Sequence, residues 1–211
     1  MPNSEIVRFI ATIPVFLLAI TLHEVAHAWV AYKCGDDTAK LQGRLTLSPI
    51  AHLDPVGSLV FIVSSLAAGV GFGWAKPVPV NPLRFRNWRR DDILVSLAGV
   101  TANLLQAVAW AVLLRLSTHY LSGTMGAAAD TLCFMGVALN VVLMVFNLLP
   151  IPPLDGSHIA FNLLGIRDPA AVMQWSRIGT LLLFLVVATP VFGRLFNVVI
   201  EPVIRLFLWG L

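Results

Sequence analysis

Long apolar runs separated by short polar stretches dominate the chain. The runs cover residues 6–32, 93–116, 131–149, 171–189 and 191–209. A helix needs about 20 mostly apolar residues to cross the hydrocarbon core of a bilayer, so each run predicts a membrane helix. We therefore expect an all-α polytopic membrane protein with about five to six membrane helices.

Two segments between the first two runs interrupt this pattern. Residues 38–49 alternate polar and apolar positions, which predicts a short strand or β-hairpin. Residues 58–72 are apolar but form too short a run for a full span. Three prolines follow within residues 76–82, and they exclude a helix and favour an extended backbone there.

Composition supports a membrane protein and narrows its partners. Hydrophobic residues make up 58% of the 211 residues and charged residues 12%, about half the charged share of a soluble domain. No basic patch interleaved with aromatic residues indicates nucleic-acid binding. The chain shows no internal repeat, so we expect one integral-membrane domain over residues 1–211, with a core at about 5–165 and C-terminal helices over 171–211.

The first apolar run carries a cluster of ionisable residues, His-Glu-Val-Ala-His, at residues 23–27. Residues four apart share one helix face, so His23 and His27 can offer two imidazoles to one metal ion. Glu24 lies one step round the helix and can hold a water molecule bound to that metal. Because ionisable groups at membrane depth are costly, we interpret the cluster as functional rather than as a helix end with polar residues spaced by accident.

A third ligand is harder to find from the residues alone. A catalytic zinc site usually has three protein ligands and one open position. Candidates outside the first motif include His52, His119 and His158. Asp155 fits best because it follows a span and a proline-rich break, and Gly156 permits a sharp turn. An ordinary Asp-Gly turn explains the same stretch equally well, so this stretch alone leaves the third ligand open.

Two motifs taken together resemble those of the site-2 protease family, zinc metalloproteases that cut transmembrane substrates within the bilayer. They are His-Glu-Val-Ala-His at residues 23–27 and Asn-Leu-Leu-Pro-Ile-Pro-Pro-Leu-Asp-Gly at 147–156. Residues 48–57 and 73–82 also resemble segments of the compact prokaryotic subgroup that lacks a PDZ domain. The family often has Ala-Gly-Pro-x-x-Asn in the span between the motifs, where residues 98–103 read Ala-Gly-Val-Thr-Ala-Asn. The missing proline leaves the local helix shape open.

The resemblance implies an activity and a set of site residues. His23, His27 and Asp155 would bind one Zn²⁺ ion per chain, and Glu24 would be the catalytic carboxylate. Asn147 would lie near the metal and donate a hydrogen bond to the reacting carbonyl. The expected activity is intramembrane zinc endopeptidase, with transmembrane proteins or peptides as substrates and membrane lipid as the surroundings.

Two further polar residues have a functional and a structural interpretation. His52 either contacts the site or substrate, or is a solvated residue before a helix. Asn103 either serves the site or hydrogen-bonds a neighbouring membrane helix.

Two other classes of function compete with the enzyme. A non-catalytic membrane scaffold that binds proteins has no need of a general base, so Glu24 argues against it. A transporter or metal channel needs further ionisable residues along one membrane path. Between residues 93 and 149 the only such candidates are Arg115, His119 and Asp130, close to a predicted loop.

The topology follows from bringing His23 and Asp155 into one coordination sphere. His23 lies about 26 Å along its helix from Ile6, near the far end, and Asp155 follows the far end of the third run. Two helices whose far ends meet run in the same direction, so the chain must cross the membrane an even number of times between their starts. We therefore predict that residues 55–81 are re-entrant: a half-depth helix that returns as extended chain beside the site.

The distribution of Lys and Arg agrees with this topology. Basic residues collect on one side of the membrane, whereas the predicted loop 117–130 on the other side has none. Such a bias marks the cytoplasmic side, so we expect the active site towards the cytoplasm of a prokaryotic cell membrane. The basic residues on that side are Lys33, Lys40, Arg44, Lys76, Arg84, Arg86, Arg89 and Arg90.

Overall fold

A computed structural model describes residues 2–68, 73–166 and 169–209. Their regular secondary structure is helical, as the apolar runs predict. The α-helices are α1 (Pro2–Cys34), α2 (Thr38–Leu41), α3 (Pro55–Ala68), α4 (Trp88–Tyr120), α5 (Gly123–Asn147), α6 (Asp155–Leu164), α7 (Pro169–Ala188), α8 (Pro190–Leu195) and α9 (Glu201–Phe207). Single turns of 3₁₀-helix cover Pro49–His52 and Pro82–Arg84, and a π-helical turn covers Phe196–Ile200.

Three of the described helices are long and apolar enough to cross a membrane. They contain the spans Ile10–Cys34, Trp88–Tyr120 and Gly123–Asn147, in α1, α4 and α5. The polytopic all-α architecture is therefore confirmed. The total of five to six spans stays a prediction beyond these three.

Helices α1 and α4 run antiparallel. Near the start of α4 the carbonyl of Val95 contacts His27, and further along α4 Gln106 donates to the carbonyl of Ala19 at 3.4 Å. As residue numbers rise along α4, the numbers of the contacted residues fall along α1.

Helix α5 is antiparallel to α4 by the same test. Asn103 bonds Asn140, whereas Trp110 lies against Gly136, where the indole fills the space that a Cβ would need. Because α1 and α5 both oppose α4, they run in the same direction. The two helices that lead into the motifs, α1 and α5, therefore have the common direction that the sequence analysis predicted.

Helix α3 and the chain that follows it form the predicted re-entrant segment. Leu53 and Ala75 make an isolated antiparallel bridge, so the chain returns to the start of α3 after a helix of 14 residues. Such a helix is about 21 Å long, short of the roughly 30 Å core of a bilayer. The prediction for residues 55–81 is confirmed where the chain is described, and the turn at residues 69–72 lies outside the described residues.

The strand or hairpin expected over residues 38–49 was wrong. One helical turn, Thr38–Leu41, begins this segment, and the rest is turn, bend, irregular chain and the start of a 3₁₀ turn. The Asp36 carboxylate accepts from the backbone N–H of Thr38 at 3.0 Å and from that of Asn81 at 2.6 Å. The local bond to Thr38 offers the backbone an alternative to strand pairing, and the bond to Asn81 ties the start of this segment to distant chain.

The loop expected over residues 117–130 was also wrong. Helix α4 continues to Tyr120 and α5 starts at Gly123, so two residues connect them. A short polar side chain inside this stretch bonds the backbone of its own helix, since the Thr118 hydroxyl donates to the carbonyl of Arg115 at 3.0 Å. The consecutive alanines of this stretch favour helix as well.

The C-terminal helices pack against the two central spans. Ile200 and Ile204 are buried in one cluster with Ala107, Val137 and Val141. The cluster lies among α4, α5 and α9, so the last apolar run belongs to the same core as α4 and α5.

Candidate metal centre

Two imidazoles and one carboxylate meet where α1 faces the start of α6. Nε2 of His23 lies 3.4 Å from Oδ2 of Asp155, and Nε2 of His27 lies 3.3 Å from the same oxygen. The two Nε2 atoms are 3.0 Å apart. Around a tetrahedral zinc ion with bonds of about 2.0–2.1 Å, neighbouring ligand atoms stand about 3.3 Å apart. The three atoms therefore have the spacing of ligands to one metal ion.

The other ring nitrogen of each histidine determines which nitrogen carries the proton. Nδ1 of His27 lies 2.7 Å from the carbonyl oxygen of Val95, which can only accept a hydrogen bond. Nδ1 of His23 lies 2.5 Å from Oδ1 of Asn103. With the proton on Nδ1 in both rings, each Nε2 turns a lone pair towards the other and towards Asp155.

The orientation of the Asn103 amide is determined by a second asparagine, Asn140. Nδ2 of Asn140 donates to the carbonyl of Gly136 at 2.9 Å, so Oδ1 of Asn140 faces Asn103. Nδ2 of Asn103 donates to that oxygen at 2.9 Å, which leaves Oδ1 of Asn103 to accept from His23. The described amides therefore agree with a proton on Nδ1 of His23.

Three electron-rich atoms this close repel one another unless a proton or a metal ion lies between them. Oδ2 of Asp155 is buried and has no hydrogen-bond partner among the described residues. A proton on one ring would satisfy only some of the three atoms, whereas one metal ion satisfies all of them. Two imidazoles and a carboxylate are a common ligand set of catalytic zinc, so the residues fit that ion.

Gly99 leaves the space that the two imidazoles occupy against α4. A Cβ on this residue would lie 2.6 Å from Nε2 of His23 and closer still to Nε2 of His27. Any larger residue at this position would therefore displace the two candidate ligand atoms. Val95, Gly99 and Asn103 are four residues apart and share one face of α4, so this face forms a wall of the site.

Helix α4 also holds the element that carries the third candidate ligand. Asp155 is the first residue of α6. Near the end of α6, the carbonyl of Asn162 accepts from Nε and Nη2 of Arg89 at 3.1 and 2.8 Å, and the Asn162 amide donates to the Asp92 carboxylate. The nearby carboxylate of Asp92 raises the pKa of His158, in the middle turn of α6. One helix thus supports both the imidazoles and the helix of the carboxylate.

Glu24 points to the extended segment that follows α3. Its Oε2 accepts the backbone N–H of Val78 at 2.8 Å, and its side chain is buried. Pro77 and Pro79 on either side have no N–H, so Val78 supplies the backbone donor at this point. The predicted proximity of this extended chain to the motif is therefore observed.

The weaker sequence candidates lie in different surroundings. Asn103 contacts both the imidazole of His23 and α5, which combines its two interpretations. His52 is fully buried, with Nε2 2.8 Å from the carbonyl of Thr46. The amide of Asn147 donates to the carbonyl of Leu143, one turn back in its own helix, at 3.1 Å.

Sequence reasoning missed Asn140 and two backbone groups, the Val95 carbonyl and the Val78 N–H. Backbone groups carry no residue-specific signal. Asn140 did carry one, because a polar side chain inside an apolar run needs a partner within the protein.

Comparisons with known proteins agree with the motifs. A family model described as Peptidase family M50 matches residues 115–186. The chain is 40% identical over 198 residues to "Putative zinc metalloprotease YwhC" of Bacillus subtilis, covering 90% of this chain and 88% of the relative. It is 33% identical over 195 residues to "Putative zinc metalloprotease Rip2" of Mycolicibacterium smegmatis, covering 92% of this chain and 73% of the relative. No solved structure matches the chain. With relatives this similar over most of their length, the chain belongs to peptidase family M50, the site-2 protease family that its two motifs resemble.

Proposed function

We propose that this protein is an intramembrane zinc endopeptidase that hydrolyses peptide bonds of transmembrane substrates. The observation that carries the proposal is the meeting of His23, His27 and Asp155 at mutual distances of 3.0–3.4 Å. Glu24, next to the first of these ligands, supplies a general base of the kind that a protease needs.

The proposed ligands of one Zn²⁺ ion per chain are His23, His27 and Asp155. The chemistry that zinc supplies in such a site is polarisation of the scissile carbonyl and a lowered pKa of bound water, to about 7. The protein residues hold the ligand atoms in place: Val95 and Asn103 orient the rings, and α4 fixes α6.

Glu24 takes the proton of the attacking water and delivers it to the leaving amine. The hydroxyl adds to the carbonyl carbon and the C–N bond breaks, so the products are a carboxylate and an amine. The N–H of Val78 holds Oε2 of Glu24 and leaves Oε1 for the proton transfer.

A substrate helix must unwind before cleavage, because its peptide bonds are otherwise hidden. We propose that residues 74–82 receive the unwound strand beside Glu24. This segment is extended, and Ala75 within it already pairs with Leu53. Addition of a strand to extended backbone is a common mode of peptide recognition.

The proposed location is a prokaryotic cell membrane, with the active site towards the cytoplasm. Support comes from the basic residues near the site end of α1 and α4, such as Lys33, Arg86 and Arg90. We propose a single membrane domain over residues 1–211, in which the catalytic core covers about 5–165.

Glu24→Gln tests the proposal directly. The variant keeps the ligands, so its zinc content should match that of the unaltered protein, whereas cleavage of a membrane-embedded reporter should fall by about 10²–10⁴-fold. Glu201→Gln is the matched control, because Glu201 pairs with exposed Arg205 far along the chain. Persistent cleavage by Glu24→Gln would overturn the assignment. A scaffold without activity would bind the reporter uncut in every variant.

A further inference from the structure

We propose that Asn140, in the middle of α5, is a positioning residue for the metal centre. It acts through Asn103 and sets both the orientation and the proton position of the His23 ring. The proposal rests on the metal site of the proposed function, although Asn140 itself is not a proposed ligand.

An unbroken path of hydrogen bonds joins Asn140 to the imidazole. It runs from the Gly136 carbonyl to Nδ2 of Asn140 at 2.9 Å, and from Oδ1 of Asn140 to Nδ2 of Asn103 at 2.9 Å. It ends between Oδ1 of Asn103 and Nδ1 of His23 at 2.5 Å. Both asparagines are 0% exposed, so solvent does not offer them other partners.

The path has only one consistent direction. A backbone carbonyl accepts and never donates, so the amide nitrogen of Asn140 must face Gly136. Turning the Asn140 amide over would place its oxygen against that carbonyl and its nitrogen against Nδ2 of Asn103. Both contacts would be repulsive, and burial of unsatisfied polar groups is costly. The carbonyl of Gly136 thus determines which end of Asn103 faces His23.

His23 needs this control because its partner is a side chain that can be reversed. A neutral imidazole binds metal through Nε2 only if Nδ1 carries the proton and has an acceptor. Asn103 alone could present either its oxygen or its nitrogen, and the nitrogen would favour the wrong tautomer. His27 bonds the backbone carbonyl of Val95, which cannot be turned over. The ring of His27 therefore needs no further residue to fix its partner, whereas the partner of His23 is fixed by a second asparagine.

A purely structural role for Asn140 makes a different prediction. A buried hydrogen bond between membrane helices contributes modestly to stability, without any effect on metal affinity. Gln106 provides such a bond without touching a proposed ligand, since its Nε2 donates to the carbonyl of Ala19 at 3.4 Å. If Asn140 only joined α4 to α5, replacing it would change the zinc Kd and the thermal midpoint as replacing Gln106 does.

The test measures zinc affinity of the full-length protein, by competition of the metal-free form with a chromogenic chelator. Loss of a hydrogen-bond partner of a metal ligand typically weakens metal binding about 10- to 100-fold. We expect Asn140→Leu to raise the zinc Kd by about 10-fold, the lower end of that range. Gln106→Leu should leave the zinc Kd unchanged while lowering the thermal midpoint of the metal-free protein to a similar extent.

Two further variants separate positioning from damage to the fold. In an Asn103→Ala background, Asn140→Leu should cause no further rise in the zinc Kd, because the hydrogen bond from Asn103 to His23 is already missing. A carboxyl buried away from cations stays neutral, so Asn140→Asp can donate its O–H to the Gly136 carbonyl and keep an oxygen facing Asn103. This variant should retain zinc affinity, which keeps the proposal testable if Asn140→Leu does not fold. An unchanged Kd in Asn140→Leu, an equal loss in Gln106→Leu, additive losses, or an Asn140→Asp variant as weak as Asn140→Leu would each overturn the proposal.

The zinc-affinity measurement needs no substrate and no cleavage. A negative result for Asn140 would therefore leave the Glu24→Gln test of the protease untouched. Conversely, a chain that bound zinc and cut nothing would still report whether Asn140 positions His23.

Discussion

Gly99 of α4 lies directly against Nε2 of His27 on α1, so that a Cβ at residue 99 would overlap the imidazole. The two imidazoles can therefore lie this close to α4 because one position on the facing helix has no side chain. This contact lies in residues 98–103, which resemble the Ala-Gly-Pro-x-x-Asn segment of the family but have Val100 in place of the proline. Helix α4 is continuous from Trp88 to Tyr120 through Val100, so the local helix is regular without that proline.

Gly99→Ala should abolish zinc binding while leaving the helix intact. Ala is a better helix former than Gly by about 1 kcal/mol, so the cause would be the occupied space and not a weaker α4. We expect the zinc Kd to rise by at least 100-fold, the upper end of the effect of losing a ligand's hydrogen-bond partner. Gly193→Ala is the matched control, because a Cβ on Gly193 meets nothing within 4 Å. Normal zinc binding by Gly99→Ala would mean that the ion lies elsewhere.

Val78→Pro should slow hydrolysis without changing zinc content. The substitution removes the N–H that Glu24 accepts and keeps the extended backbone that prolines favour. A hydrogen bond to a charged group contributes about 1.5–3 kcal/mol, so we expect cleavage of a membrane reporter to fall about 10- to 100-fold. Val78→Ala keeps the N–H, so its rate of reporter cleavage should fall much less. Equal rates in the two variants would exclude orientation of Glu24 by this bond.

Zinc should stabilise the folded protein, and more so at higher pH. A ligand at about 100 times its Kd adds about 2.7 kcal/mol to the free energy of unfolding. Histidine must be unprotonated to bind metal, so the rise in thermal midpoint on adding zinc should be larger at about pH 7.5 than at about pH 5.5. His27→Ala should show no such rise at either pH. A zinc-dependent shift that survived in His27→Ala would contradict the proposed ligand set.

His158→Gln should alter stability in a pH-dependent manner. The Asp92 carboxylate, which lies 3.7 Å from Nδ1, raises the pKa of His158 above its ordinary value of 6.5. A raised pKa in the folded state stabilises the protein below about pH 6.5, and the effect disappears as pH rises through the raised value. The thermal midpoint should therefore exceed that of His158→Gln at low pH only. His119→Gln is the control, because His119 lies at the end of α4 and Asp92 near its start. A difference in thermal midpoint between the protein and His158→Gln that did not depend on pH would count against the ion pair of His158 with Asp92.

The local sequence was sufficient for three membrane helices, α1, α4 and α5, and for the two motifs. Length and hydropathy determine whether a segment can cross a bilayer, because lipid offers the backbone no hydrogen-bond partners. The parity argument needed only that His23 and Asp155 meet, and it predicted the re-entrant segment that the bridge between Leu53 and Ala75 now demonstrates.

Local patterns failed where competing contacts decide the backbone. Residues 38–49 alternate like a strand, yet Asp36 organises the start of that segment with bonds to Thr38 and to distant Asn81. The polar composition of residues 117–130 indicated a loop, yet the residues continue two helices. Alternation and polarity are averages over neighbours, and they contain no information about a partner 45 residues away.

By itself, the sequence determined the class of protein and two imidazoles of the candidate metal centre, since ionisable groups inside an apolar run are costly. The third candidate ligand, Asp155, came from the resemblance of the second motif to the family. Only the tertiary structure decided how those groups are held. The register of α4 against α1 and α5 brings the Val95 carbonyl, Gly99 and Asn103 to the two imidazoles and places Asn140 behind them. That register is the sum of many contacts between helices distant in sequence, so no single stretch of residues encodes it.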